Sequence, residues 1–227
     1  MPVKFSIGQS GSIAKKQTTT NSYVSLCVNG KTIYMASKNY HCKAKDAIKF
    51  YKEQHIHLGA NVNLLTYDIA HGTAEDKPET TLPEFYRAAK DMRLHLTQAG
   101  DRVLVNCNHG RSRTGTVVAL YLILIEKLSA DDAINLVNSA LRRRGILNGI
   151  DLSNAINGSY GEWLREMEAS CSNTDDAEKY FAIMHQSPNF KKTIAMRNET
   201  DLSELLEETS NVALELLDDA SSAGPGF

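Results

Sequence analysis

Val103-Leu104-Val105-Asn106-Cys107-Asn108-His109-Gly110-Arg111-Ser112-Arg113-Thr114-Gly115 is the stretch on which the fold turns. Its first three residues are apolar and mostly β-branched and read as a buried strand. A polar loop containing a glycine follows, and Thr116 to Leu128 is then apolar almost without interruption, which reads as a buried helix. Strand, tight loop and helix start together make an anion site. Loop amides converge on one point, and the first helical turn adds unpaired N–H groups and the positive end of the dipole.

Cys107 opens this loop and Arg113 closes it. A free thiol ionises near pH 8.5 and is a poor nucleophile at neutrality. At a helix N-terminus beside an arginine its pKa can fall by several units, and three units correspond to roughly 4 kcal/mol in favour of the thiolate. Arg113 can fork two donors onto a phosphate and keeps its charge throughout. Thr114 places a hydroxyl where it could bond the sulfur, and Gly110 lets the backbone turn inward with no Cβ in the way. The backbone of Asn108, His109, Gly110, Arg111, Ser112 and Arg113 supplies the expected phosphate-binding ring. Outside this context Cys107 would read as a buried structural thiol.

The pattern Cys-x2-Gly-x2-Arg-Thr-Gly, with a hydrophobic strand before it and a hydrophobic helix after it, resembles the signature loop of the cysteine-dependent protein tyrosine phosphatases. It is most similar to the compact dual-specificity branch. Leu128-Ser129-Ala130-Asp131-Asp132-Ala133 and Arg142-Arg143-Arg144-Gly145 resemble the segments that follow the loop in that family, so the likeness covers about Tyr23 to Glu168. It implies an α/β fold: a central mixed, mostly parallel β-sheet flanked by helices, with a helical C-terminal half. It also implies metal-free hydrolysis of phosphate monoesters through a cysteinyl-phosphate, with Cys107, Arg113 and Thr114 in the catalytic machinery. One position departs from the family, which usually has His immediately before the nucleophile where this chain has Asn106. That substitution implies altered activity rather than none.

A phosphate ester needs its leaving oxygen protonated and the phosphoenzyme then needs a water deprotonated, and one carboxyl can do both in turn. In the resembling family it is an Asp on a loop upstream of the cysteine. Asp76, in Glu75-Asp76-Lys77-Pro78-Glu79, fits best, and Asp68, near the end of the Val62 to Ile69 strand candidate, is the alternative.

The chain of 227 residues carries a formal net charge of −2, which implies no global attraction to nucleic acid or membrane. Cys27, Cys42, Cys107 and Cys171 lie far apart, with no CxxC pair and no secretory signal, so a reducing, cytoplasmic compartment is expected. Val117 to Ile125 is too short to cross a bilayer. A monomer with no cofactor, no membrane span and no stable nucleic-acid complex is expected.

Residues 1–22, rich in Ser, Thr, Gly and Lys, read as a leader that is either frayed or an edge structure. The catalytic domain is placed at 23–170. Tyr23 to Val28 and Thr32 to Ala36 flank Asn29-Gly30, a hairpin signal. Lys45 to Gln54 reads as a helix with Ala47, Ile48 and Tyr51 on one face. Leu82 to Ala99 reads as another, with Pro83 in its first turn, Gly100 at its end and Phe85, Ala89, Met92 and Leu96 on its buried face. Helices follow at Thr116–Leu128, Ala130–Arg144 and Ile156–Ser170, with Ser129 as an N-cap. His55 and His57, two apart and so on one face of a possible strand, read as structural, because no further metal ligands are evident. Arg142 to Arg144 reads as a solvated helix end.

Residues 171–227 read as a helical, acidic extension with a disordered end: a helix at Asp175–Met196, an acidic amphipathic segment at Asp201–Asp219, then a Gly/Pro/Ser-rich terminus. Such an end resembles the translocation signals of bacterial type IV secreted effectors, which implies export into a host cell as the alternative to a cytoplasmic role.

The default substrate is a protein phosphotyrosine or phosphoserine/threonine. If His109 and Arg111 face the pocket mouth, their charge suits phosphoinositides, inositol polyphosphates or an RNA 5′-phosphate, and the Cys-x-His-Gly pattern is similar to the RNA triphosphatase members of the superfamily. A pseudophosphatase that binds phosphorylated partners is the main rival. A rhodanese-like sulfur carrier is a third reading, disfavoured by Gly110 and Arg113-Thr114-Gly115.

Overall fold

The computed structural model describes residues 3–13, 22–37, 44–67, 69, 78–147, 150, 155–171, 176, 177 and 179. All of them fall within the unit Met1–His185. The elements run β1 (Phe5–Ser12), β2 (Ser22–Val28), β3 (Lys31–Ser37), α1 (Ala44–Glu53), β4 (Asn61–Asn63), α2 (Pro78–Gln98), β5 (Arg102–Cys107), α3 (Ser112–Leu124), α4 (Ala130–Arg143) and α5 (Ala155–Ser170). The strands form one mixed sheet in the order β1-β2-β3-β5-β4. The expected α/β architecture is present, and the pairings divide evenly: β1–β2 and β2–β3 are antiparallel, β3–β5 and β4–β5 parallel.

The hairpin β2–β3 turns on Asn29 (φ 49°) and Gly30 (φ 84°). Two successive positive φ angles are what a two-residue hairpin loop requires, and Asn-Gly supplies them with least strain. Of the two expectations for the first residues, the edge structure is the one found: β1 pairs with β2 through an irregularity between Ile7 and Ser10.

Both faces of the sheet are covered, as parallel pairing with crossover helices requires. Ile33, Met35, Val103 and Val105 point into the large core shared with α2 to α5. Their neighbours Tyr34, Ala36 and Leu104 point the other way, toward Phe50 of α1. α1 therefore buries Phe50 (4% exposed), whereas Ala47, Ile48 and Tyr51 are half-buried. On α2, Phe85, Ala89, Met92 and Leu96 are all buried, as their spacing predicts.

Several boundaries differ from those expected. α2 starts at Pro78, so Pro78 occupies the first turn and Pro83 lies inside the helix. α3 starts at Ser112, because small and polar residues of the loop already wind into its first turn. The strand expected from Val62 to Ile69 is only Asn61–Asn63. His55 and His57 lie in turns, not on a strand; His55 has φ 54° and His57 Nδ1 accepts from the Gly59 amide at 3.2 Å. Residues 176, 177 and 179 are helical; the rest of the Asp175–Met196 reading and all of Asp201–Asp219 lie outside the described residues.

Candidate active site

β5 delivers Cys107 to the C-terminal edge of the sheet, beside Ser37 at the end of β3. The alternation of the strand decides where each side chain goes. Cys107 is 3% exposed and faces the α2–α5 side with Val103 and Val105, so Asn106 faces the opposite one. An anion bound this deep in a protein needs donors and positive charge in place of its lost hydration.

α3 supplies them. It has no acidic residue in its first turn, and its N-cap, Arg111, makes no side-chain capping bond. The chain caps helices elsewhere: at α4, Ser129 Oγ accepts from the Asp132 amide and Glu168 Oε2 accepts from the Ala130 amide. The start of α3 thus lacks the capping bond that Ser129 gives α4. Arg113, 7% exposed, belongs to that turn.

Gly110 shapes the loop by two constraints. Its φ is 58°, and a Cβ there would overlap the backbone carbonyl of Ala36 and the guanidinium of Arg144. Gly115 lets α3 pack closely, since a Cβ would lie 2.9 Å from Ile150 Cγ1 and 3.3 Å from Val137 Cγ1.

Arg144 overturns the reading of Arg142 to Arg144 as a solvated helix end. Arg142 and Arg143 are exposed, but Arg144 is buried. Its Nη1 donates to Gly110 O at 2.6 Å, Nη2 to His109 O at 2.9 Å and Nε to Ser22 Oγ at 2.8 Å. Burial lowers its pKa to about 10, while the adjacent Cys107 sulfur opposes that fall. At neutral pH it remains a cation behind the loop. The pattern that could have found it is helical: Val137, Ala140 and Leu141 are buried and Arg144 continues their stripe.

Asn106 donates from Nδ2 to Asn63 Oδ1 at 2.9 Å. Asn63 was not singled out in the sequence. Thr114 Oγ1 and Asn108 Oδ1 are buried without a hydrogen-bond partner, so Thr114 makes no bond to the sulfur in this structure. His109 is exposed, and Arg111 and Ser112 are half-buried. Asp76 and Asp68 both lie outside the described residues. A cavity of about 680 Å³ between β1 and α4, lined by Phe5, Ile7, Leu128, Asp132, Leu136 and Arg143 among others, contains no residue of the signature loop.

The whole places a buried thiol at a strand end, ahead of a glycine-shaped loop and a helix start. Residues 40–157 match the family model of the dual specificity phosphatase catalytic domain, and the chain belongs to that family. Mouse RNA/RNP complex-1-interacting phosphatase is 34% identical over 106 residues, which are 39% of this chain and 32% of the relative. Bovine dual specificity protein phosphatase 26 is 38% identical over 76 residues, 33% of this chain and 34% of the relative. Dual specificity protein phosphatase PHS1 of Arabidopsis thaliana is 34% identical over 68 residues, 30% of this chain and 7% of the relative. The chain spans about a third or less of the length of these curated relatives. Among the described residues no helix is long and apolar enough to cross a membrane.

Proposed function

We propose that the protein hydrolyses phosphate monoesters through a cysteinyl-phosphate, with protein phosphotyrosine and phosphoserine/threonine as its substrates. The observation that supports this reading is a buried Cys107 at the end of β5 followed by a buried Arg113 in the first turn of α3, inside the matched family domain. The Cys107 thiolate attacks phosphorus in line and the P–O bond to the leaving group breaks. Amides of Asn108 to Arg113 and the Arg113 guanidinium take up charge on the equatorial oxygens. Asp76 gives its proton to the leaving oxygen, then takes one from the water that cleaves the S–P bond. Asp68 is the alternative acid. The loop and Arg113 supply the positive charge that a metal supplies in other phosphatases.

A second reading, an RNA 5′-phosphate or a phosphoinositide as substrate, is favoured by exposed His109 and half-buried Arg111 in the loop. The RNA reading is also favoured by similarity to a relative named for an RNA/RNP complex. Asn106 favours a third, a binder of phosphorylated partners with little turnover. Phosphate release from phosphopeptides, phosphoinositides and 5′-phosphorylated RNA separates the first two. Turnover of para-nitrophenyl phosphate that disappears in Cys107→Ser supports the enzyme. Its absence from the parent between about pH 5 and 8, with tight phosphopeptide binding, supports the binder. The chain is expected to act as a monomer in a reducing compartment, its own or, if the C-terminal segment directs export, a host's.

A further inference from the structure

We infer that Asn63 is a positioning residue for the nucleophile, acting through Asn106, a role that rests on the phosphatase reading of Cys107. The backbone ladder between β4 and β5 ends at the pair Asn63–Asn106, one residue before Cys107. At that rung the side chains take over: Asn106 Nδ2 donates to Asn63 Oδ1 at 2.9 Å, while the Leu64 amide donates to Asn106 O at 2.8 Å. The strand end that presents the thiol is thereby held by both its backbone and its side chain.

Asn63 is itself fixed. Its Oδ1 also accepts from the Leu65 amide at 3.3 Å. Its carbonyl accepts from the Thr66 amide at 3.0 Å and from Thr66 Oγ1 at 2.8 Å. These bonds close a side-chain turn and a backbone turn on one residue, which is why β4 stops there. Asn106 is 8% exposed, so losing its partner leaves an amide donor poorly compensated. The chain then gains by letting the end of β5 move, and that end carries Cys107 and leads into the signature loop. Burial on the α1 side keeps Asn106 away from substrate, so its effect is on the loop.

The readout is the rate at which iodoacetamide alkylates Cys107 as a function of pH, measured on the full chain with Cys27, Cys42 and Cys171 changed to Ser. Asn63→Ala and Asn106→Ala are each expected to move the alkylation midpoint upward by about half a unit, a roughly three-fold slower reaction at low pH. The double variant should move no further than either single one, because both remove the same bond. Asn63→Ser, which keeps a turn-forming oxygen too short to reach Asn106, should behave as Asn63→Ala and serves if the latter does not fold. A superimposable profile for the Asn63 variants, or additive shifts, overturns the pairing. A parent thiol that alkylates like free cysteine, with no turnover, overturns the phosphatase reading instead and the pairing with it.

Discussion

Arg144 Nη1 donates to the carbonyl oxygen of Gly110 at 2.6 Å, so the signature loop is held from behind by the C-terminal end of α4. The carbonyls of His109 and Gly110 both point back to this cation. Arg144→Lys keeps a charge but loses the fork that spans His109 and Gly110. It should lower kcat by about ten-fold or more and destabilise the fold by about 1–3 kcal/mol. Steady-state kinetics and denaturant melts check both, and unchanged kcat with lowered stability would reduce Arg144 to a structural part.

Gly110→Ala should be worse than its size suggests. The added methyl meets the Ala36 carbonyl and the Arg144 guanidinium at a positive φ, which a non-glycine residue pays for with about 1 kcal/mol or more. Phosphate binding, followed by calorimetry, should be lost while the far-ultraviolet circular dichroism is kept.

Cys107→Ser should abolish turnover yet keep affinity for a phosphorylated ligand, because the amide ring and Arg113 remain. Arg113→Ala should lose binding as well as rate, with kcat falling about 10²–10³-fold or more, the scale of removing one preorganised donor. If the Arg113 variant binds and turns over like the parent, the guanidinium does not face the reacting phosphate.

The general acid should show itself on the alkaline limb of the pH–rate profile. Asp76→Asn is expected to flatten that limb; a limb that survives in Asp76→Asn and vanishes in Asp68→Asn transfers the role to Asp68.

A pH-dependent stability is expected at the far end of α3. Glu126 accepts from Tyr121 at 2.6 Å, Asn29 at 2.7 Å and Lys31 at 3.2 Å. Burial opposes its ionisation, but these hydrogen bonds and the Lys31 charge together hold its carboxyl below the usual range. A lowered folded pKa contributes stability that is present above the unfolded value and lost as pH falls through the folded one. Glu126→Gln should therefore be less stable than the parent by about 1–2 kcal/mol at neutral pH, with the gap closing below about pH 4. A gap that stays constant from pH 7 to acid removes the charge from this account.

Much of this was legible in the sequence where several signals coincided. Val103 to Gly115 combined an apolar strand, a glycine at a turn and an apolar helix, and the structure realises all three. Asn29-Gly30 was legible because its two positive φ angles have few other tenants. The end of β4 was not, since hydrophobicity continues through Leu64 and Leu65 while a side-chain turn at Asn63 stops the strand. Arg144 was missed because three consecutive arginines suggest solvent; only their helical phase sends the third inward. The role of Asn106 depends on a partner 43 positions away, and no local pattern brings them together.

Every residue of α3 after Ser112 is buried, and the first of them is Arg113, the residue proposed to bind the phosphate. The centre of the molecule and its working end are therefore one continuous segment. Evolution cannot trade one against the other here: drift within 113–124 threatens folding and chemistry at once. Divergence in what such a protein acts upon must come from the rim around the cradle, with the axle left as it is.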